Sequence, residues 1–128
     1  MESQILIVDD CDAIRECMAD VLKTRGYEVT TAVDGQDALA KFDLLKPDLL
    51  VIDLTMPRMD GLELCRRLRR ISSVPIIIVT GQLSGEESVK AFEAGADACL
   101  SKPFDLGEFT SQVRRLLNLK FEATNSCS

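Results

Sequence analysis

The clearest signal near the start of the chain is the segment Ile5-Leu6-Ile7-Val8-Asp9-Asp10, in which four apolar residues run directly into two acids. A short, continuous apolar run that is rich in Ile, Leu and Val is typical of a parallel β-strand with both faces buried. The chain repeats this pattern at residues 49–52 and 76–79, and residues 98–101 form a shorter version of it. These runs predict the strands of one parallel sheet, joined by helices that cover its two faces.

A polar residue that can take part in chemistry follows each of these runs. The residues are Asp9 and Asp10, Asp53, Thr80 and Lys102. Because the carboxyl ends of parallel strands open on the same edge of a sheet, we expect these side chains to lie close together. Three carboxylates repel each other and one lysine offsets only one charge, so a divalent cation should complete the site. The pattern predicts magnesium-assisted phosphoryl chemistry at an aspartate.

Helical spacing of apolar residues fills the gaps between the first three runs. The first helix should have Asp12 as its N-cap and should end at Gly26. Polar and apolar side chains alternate enough over residues 28–32 to predict an outer strand. A second helix should then open at Asp34-Gly35 and end before Pro47. The first half of the chain is therefore predicted to run strand, helix, strand, helix.

A third helix is predicted after the strand that ends at Asp53, and a fourth is predicted from a weaker pattern. Asp60 and Glu63 stand at capping-box spacing in front of the third helix. The fourth helix, from Ser84 to Ala94, should turn Val89 and Phe92 toward the core. Together with the last helix, these elements predict five β/α units.

The last helix is the longest pattern in the second half. Asp105 and Glu108 should cap it, and five apolar side chains should face inward. These are Leu106, Phe109, Val113, Leu116 and Leu117. Because the residues that follow are small and polar, we expect one domain over residues 1–121, with residues 122–128 as a polar tail or the start of a linker.

Length and charge limit the classes of protein to which the chain can belong. Its 128 residues suit a single compact domain. The 15 basic and 21 acidic residues give a net charge of −6, which argues against direct nucleic-acid binding through the overall field. No apolar segment approaches the ~20 residues that a membrane helix requires, so no membrane insertion is expected. Partners should instead be proteins and small ions.

Cysteine and histidine content narrows the chemistry further. The five cysteines are an odd number without a C-x-x-C pair, which favours reduced thiols and a cytoplasmic location. The chain contains no histidine, which excludes the usual zinc sites and histidine-based catalysis within it. The protein therefore cannot itself supply a phosphohistidine.

Among the three acids, Asp53 is the best candidate for a nucleophile toward phosphorus. It stands alone at the end of a central strand, whereas Asp9 and Asp10 are adjacent and suit a metal with its waters. Asp10, Asp53 and a backbone carbonyl near Thr55 can supply metal ligands. Attack by Asp53 would give an acyl phosphate.

Lys102 and Thr80 complete the predicted site from the ends of the last two apolar runs. Lys102 would pair with a phosphoryl oxygen as a point charge, and the Thr80 hydroxyl would donate a hydrogen bond to it.

From Gln4 to about Leu119 the chain resembles the receiver domain of two-component response regulators. The motifs that carry the resemblance are Val8-Asp9-Asp10, Asp53-Leu54-Thr55-Met56-Pro57 with Asp60-Gly61, Thr80-Gly81, Gly95-Ala96-Asp97 and Lys102-Pro103-Phe104. The resemblance implies a flavodoxin-like, doubly wound (βα)5 three-layer fold with a parallel sheet in the order 2-1-3-4-5. Flavodoxin and the chemotaxis member of this family share that strand order.

The resemblance also implies roles for the site residues. Asp53 would be the phosphoacceptor, with Asp9 and Asp10 as magnesium acids, Thr80 as the switch hydroxyl and Lys102 as the phosphate partner. Pro103 would commonly follow a cis bond. The donor would be a sensor histidine kinase or a histidine phosphotransfer protein. The output would be a downstream protein on the face of the fourth helix, fifth strand and fifth helix.

One position departs from the family pattern. Cys99 stands where the family often has Tyr or Phe, an aromatic residue that moves as the threonine engages phosphate. We therefore expect the loop after Thr80 and the helix from Ser84 to Ala94 to carry the readout.

The resemblance implies a signalling switch, with only autophosphorylation from small acyl phosphates and autodephosphorylation as intrinsic activities. One alternative is a magnesium-dependent aspartyl-phosphate phosphohydrolase of the haloacid dehalogenase type, which requires a second acid where this chain has Thr55. A nucleotide-binding flavodoxin-like enzyme is another, although neither glycine-rich phosphate motif occurs. A non-phosphorylated scaffold would be expected to have lost some of the site residues.

Overall fold

A computed structural model of the chain describes residues 3–54, 61–81, 85–102 and 105–126. Strands and helices alternate five times along it. The strands are β1 (Gln4–Val8), β2 (Glu28–Ala32), β3 (Leu49–Asp53), β4 (Ile76–Thr80) and β5 (Ala98–Ser101). The helices are α1 (Asp12–Thr24), α2 (Gly35–Leu45), α3 (Gly61–Ile71), α4 (Gly85–Glu93) and α5 (Leu106–Ser126).

The five strands form one parallel sheet in the order β2-β1-β3-β4-β5. This confirms the predicted flavodoxin-like fold and its strand order. Val8 pairs with Ile52, and Asp53 pairs with Val79, so the carboxyl ends of the three central strands lie level with one another. The register therefore brings the residues that follow these strands to one edge of the sheet.

Each face of the sheet carries its own hydrophobic core, because successive side chains of a strand point to opposite faces. One core contains Leu6, Val8, Leu50, Ile52, Ile76 and Ile78 with residues of α2, α3 and α4. The other contains Ile5, Ile7, Leu49, Val51, Ile77 and Val79 with residues of α1 and α5. The helices thus form two outer layers, and β1, β3 and β4 are mostly apolar because both of their faces are covered.

Two of the predicted helix boundaries are confirmed and one is wrong. Asp34 is the N-cap of α2, where its Oδ1 accepts a hydrogen bond from the Asp37 backbone N at 2.8 Å. Gly26, just after α1, has a φ of +92°, a left-handed conformation that ends helices at little cost for glycine. Asp12 is not the N-cap of α1: it is the first helical residue, and Cys11 caps the helix without a side-chain bond.

The predicted inward face of α4 is also wrong. Val89 and Phe92 are 55% and 49% exposed, whereas Ala91 and Ala94 are buried in the core. Both pairs have the i, i+3 spacing of a helix face, and Val89 and Phe92 were predicted to be buried because their side chains are larger. The helix instead turns its small side chains toward the sheet.

The last helix follows its predicted pattern apart from its first turn. Asp105 accepts a hydrogen bond from the Gly107 backbone N at 2.6 Å, as expected of a cap. Leu106 is 39% exposed and does not face inward, because it precedes the turn that reaches the core. The other four residues of the predicted apolar stripe are buried. Asp60, predicted to cap α3, lies outside the described residues.

The helical backbone of α5 continues to Ser126, through most of the segment expected to be a tail. In the part of the chain that the structure describes, no helix is both long and apolar enough to span a bilayer.

Candidate functional site

The structure brings the predicted site residues to one edge of the sheet. Asp9 follows β1, Asp53 ends β3, Thr80 ends β4 and Lys102 follows β5. Backbone hydrogen bonds extend the sheet to this edge: the Asp9 N donates to the Ala32 O at 3.2 Å, and the Lys102 N donates to the Thr80 O at 2.7 Å. The backbone pairing of the sheet thus continues to Asp9 and Lys102 themselves.

Three carboxylates form the centre of the site. One oxygen from each of Asp9, Asp10 and Asp53 lies within 4.8 Å of the other two. Asp9 and Asp53 are buried, with 0% and 5% exposure, and Asp10 is exposed. Charges this close repel strongly away from bulk water. A set of hard oxygen donors that is open on one side suits Mg²⁺, which keeps several of its own waters.

Lys102 supplies a positive charge between two of these acids. Its Nζ lies 3.3 Å from the Asp9 Oδ2 and 3.6 Å from the Asp53 Oδ1. The lysine side chain is only 20% exposed, so its charge is poorly screened by solvent. One ammonium against three carboxylates still leaves the site anionic, which is the electrostatic condition for binding a divalent cation.

Asp9 is held through all four of its polar atoms by different parts of the chain. Its N donates to Ala32, its carbonyl O accepts from the Arg15 Nη1 at 2.9 Å, and its Oδ1 accepts from the Cys11 N at 2.9 Å. Its Oδ2 faces Lys102. Asp9 is therefore held in place through both its backbone and its carboxylate.

Gly61 allows the start of α3 to lie directly against the strand that ends in Asp53. A Cβ at this position would collide with the Asp53 carbonyl oxygen and the Leu54 Cα. The Gly61 N donates to the Leu54 O at 3.0 Å, which fixes this close approach. Only glycine fits between the helix and the strand without displacing one of them.

The hydroxyl-bearing Thr80 is 2% exposed at the end of β4. Gly81 follows it, and a Cβ there would meet no atom of the described residues within 4 Å. Thr55, whose backbone carbonyl was predicted as a metal ligand, lies outside the described residues.

Sequence reasoning missed two residues that shape the site, Arg15 and Gly61. Gly61 appeared only as part of a motif, without a role. Arg15 stands three residues after Asp12, a spacing that predicts a surface ion pair but not a contact with the Asp9 backbone.

The sequence model of the response regulator receiver domain matches residues 5–114. The chain belongs to this family. It is 45% identical over 118 residues to the response regulator MprA of Mycobacterium tuberculosis, which covers 91% of this chain and 51% of that protein. MprA of Mycolicibacterium vanbaalenii is 44% identical over the same length. The receiver thus spans about half the length of the curated relatives it matches.

Solved structures agree with this assignment. The chemotaxis protein CheY4 of Vibrio cholerae is 34% identical, with a TM-score of 0.87 over 91% of this chain and 99% of that one. A putative response regulator from Chloroflexus aurantiacus is 36% identical, with a TM-score of 0.88 over 92% and 99%. A CheY-like receiver from Methanospirillum hungatei is 32% identical, with a TM-score of 0.90 over 96% and 99%.

Membership of this family makes the chain a signalling switch of a two-component system. A receiver domain implies a histidine kinase or a phosphotransfer protein as partner, and receivers generally bind Mg²⁺. The assignment decides against the phosphohydrolase and nucleotide-binding alternatives.

Proposed function

We propose that this receiver accepts a phosphoryl group on Asp53 from the phosphohistidine of a sensor histidine kinase or a histidine phosphotransfer protein. The observation that carries the proposal is the position of the Lys102 Nζ, 3.6 Å from Asp53 at the edge of a three-carboxylate cluster. Asp53 ends the central strand and has a cation beside it. This combination supports attack by its carboxylate on an anionic group.

The transfer balances without any further reactant. A carboxylate oxygen of Asp53 forms a bond to phosphorus, and the bond from phosphorus to the donor's imidazole nitrogen breaks. The imidazole leaves with the electron pair, and the product is an acyl phosphate. Lys102 would then face a phosphoryl oxygen, and Thr80 would donate a hydrogen bond to another.

Asp9, Asp10 and Asp53, with the backbone carbonyl of Thr55, would hold Mg²⁺. The oxygen-only donor set supports this choice of ion. When bound, the ion reduces the repulsion between the acids and an incoming phosphoryl group.

The proposal makes the chain a switch rather than an enzyme, with only autophosphorylation from small acyl phosphates and autodephosphorylation as intrinsic reactions. Residues 1–121 would form the receiver and residues 122–128 a polar tail or the start of a linker. The protein would act in the cytoplasm, where its five cysteines would stay reduced. A downstream protein would bind the face formed by α4, β5 and α5.

Intact mass after incubation with acetyl phosphate and Mg²⁺ tests the acceptor. We expect one labile phosphoryl adduct, which should be absent in Asp53→Asn. Asp20→Asn, an exposed acid on α1, is the matched control and should be modified like the native chain. An undiminished adduct in Asp53→Asn would overturn the assignment, and no adduct in the native chain would favour a scaffold that is not phosphorylated.

Thermal melts test the metal site separately. Millimolar Mg²⁺ should raise the melting temperature by a few degrees, because the ion binds the folded state and relieves the repulsion among the acids. Asp10→Asn removes one of the three charges, so it should raise the melting temperature without metal and weaken the response to Mg²⁺. Sodium chloride at equal ionic strength is the control. A melting temperature that does not respond to Mg²⁺ would count against the three-acid site.

A further inference from the structure

Arg15 closes the first turn of α1, where its backbone N donates to the Cys11 O at 2.9 Å, and its side chain reaches back to the end of β1. Its Nη1 donates to the Asp9 carbonyl O at 2.9 Å, and its Nη2 forms a short ion pair with the Asp12 Oδ1. The Arg15 side chain is only 12% exposed, whereas Asp12 is 79% exposed. One planar guanidinium thus joins both sides of the turn that carries Asp10.

The turn needs such support because its helix cap is weak. Cys11 is the N-cap of α1 and makes no side-chain cap bond. Its backbone N donates instead to the Asp9 Oδ1, so the direction of that carboxylate is tied to the path of the turn. A change in the turn would therefore move Asp9 and Asp10 together. The fork of Arg15 fixes this path from the helix side.

We propose that Arg15 is a positioning residue for the metal site, one that holds the turn so that Asp9 and Asp10 face a divalent cation together with Asp53. The inference rests on the proposed magnesium site. Two effects of Arg15 on that site have opposite signs. Its positive charge repels a divalent cation, so charge alone predicts that removing Arg15 tightens Mg²⁺ binding. Its hydrogen bonds orient the acids, so positioning predicts that removing it weakens Mg²⁺ binding.

Calorimetric titration with Mg²⁺ separates the two effects. Arg15→Met keeps the length of the side chain and removes its donors and charge. We expect it to weaken Mg²⁺ binding about tenfold, the scale found when a group that orients a metal ligand is lost. Arg15→Lys keeps the charge but has a single donor nitrogen in place of the planar fork, so it should recover part of the affinity. Arg25→Met, with the same change of charge on the exposed residue after α1, should bind Mg²⁺ like the native chain.

Hydrogen exchange of the Cys11 amide gives a readout that needs no metal. The amide donates to Asp9 at 2.9 Å, so it should exchange faster in Arg15→Met than in the native chain or Arg25→Met. Mg²⁺ binding by Arg15→Met that is as tight as native or tighter would overturn the inference. If Arg15→Met does not fold, the same comparison with Arg15→Lys decides the question.

The failure of the proposed site would look different. A native chain that binds no Mg²⁺ would overturn both the magnesium site and the role of Arg15 in it. Native binding with an unchanged Arg15→Met would overturn only the role of Arg15.

Discussion

Cys65 is a titratable group inside the core. It is fully buried on α3, in the cluster that packs under the sheet face covered by α2, α3 and α4. Burial raises the pKa of its thiol from 9.0 to about 11, because a thiolate would lose its hydration there. Arg69 and Arg66 oppose this shift and Asp97 adds to it, each with a smaller effect than burial.

The shift predicts a loss of stability at alkaline pH. Between pH 9.0 and about 11 the unfolded thiol gives up its proton while the folded one keeps it, so the free energy of unfolding falls as pH rises. Urea titrations at pH 8 and pH 10 should show that ionisation of Cys65 lowers the free energy of unfolding by about 1 kcal/mol at the higher pH. Cys65→Ala should lack this part of the pH dependence. Equal losses in the two proteins would mean that the thiol is not responsible.

Arg69 connects α3 to two other elements of the fold. Its Nε donates to the Gly95 O at 2.8 Å, its Nη1 to the Val74 O at 2.6 Å, and its Nη2 to the Asp97 Oδ2 at 2.7 Å. The same Asp97 oxygen accepts from the Ile76 N at the start of β4, at 2.9 Å. One side chain therefore joins the C-terminal half of α3, the start of β4 and the turn between α4 and β5.

Loss of this connection should destabilise the domain. Arg69→Met removes four hydrogen bonds and leaves the backbone carbonyls of Ser72, Val74 and Gly95 without this donor. We therefore expect a loss of about 2–4 kcal/mol in the free energy of unfolding. Urea denaturation measures it. Arg70→Met is the matched control. The Arg70 side chain is exposed, so its loss should change stability little. A similar effect of both variants would show that the loss of charge matters more than the contacts.

The sequence was sufficient to predict those elements whose signal is local. The apolar runs predict strands because both faces of a parallel sheet are covered, and the Asp34 cap is visible because its partner is three residues away. The face of α4 was predicted wrongly because Val89 with Phe92 and Ala91 with Ala94 have the same spacing. Which pair faces the sheet depends on how the helix docks, and that is not encoded in the spacing.

The candidate site also contains residues that the sequence predicted and contacts that it did not. Asp9, Asp53 and Lys102 were predicted to meet because they follow strands that must end at one edge, and they do lie together. The contact of Arg15 with the Asp9 backbone depends on the path of one turn, and that of Gly61 with the Asp53 strand depends on the docking of α3. Residue spacing predicts neither the path of this turn nor the docking of α3.

At the scale of the whole molecule, exposed apolar side chains lie on both helices that flank β5 in sequence. Val89 and Phe92 on α4 and Leu106 at the start of α5 are each more than a third exposed. A contiguous apolar patch marks a binding surface, whereas single exposed apolar side chains are common. Leu44 and Ile71, at 83% and 67% exposure, are more exposed than these three, so the docking face stays a proposal that rests on the family resemblance.

Phosphorylation of Asp53 would reach that face through Thr80. Thr80 is buried at the end of β4, and its carbonyl accepts from the Lys102 N, so movement of Thr80 toward a phosphoryl group would pull on both β4 and the residue after β5. Beryllofluoride, a phosphate mimic, should therefore change amide chemical shifts mainly in α4, β5 and α5. The changes should be largely lost in Thr80→Ala, which removes the hydroxyl, and should persist in Cys99→Ala, because a small side chain at this position cannot act as an aromatic switch. Asp53→Asn, which should not bind the mimic, is the control for nonspecific effects. Equal loss in the Thr80 and Cys99 variants would mean that Cys99 is itself part of the switch.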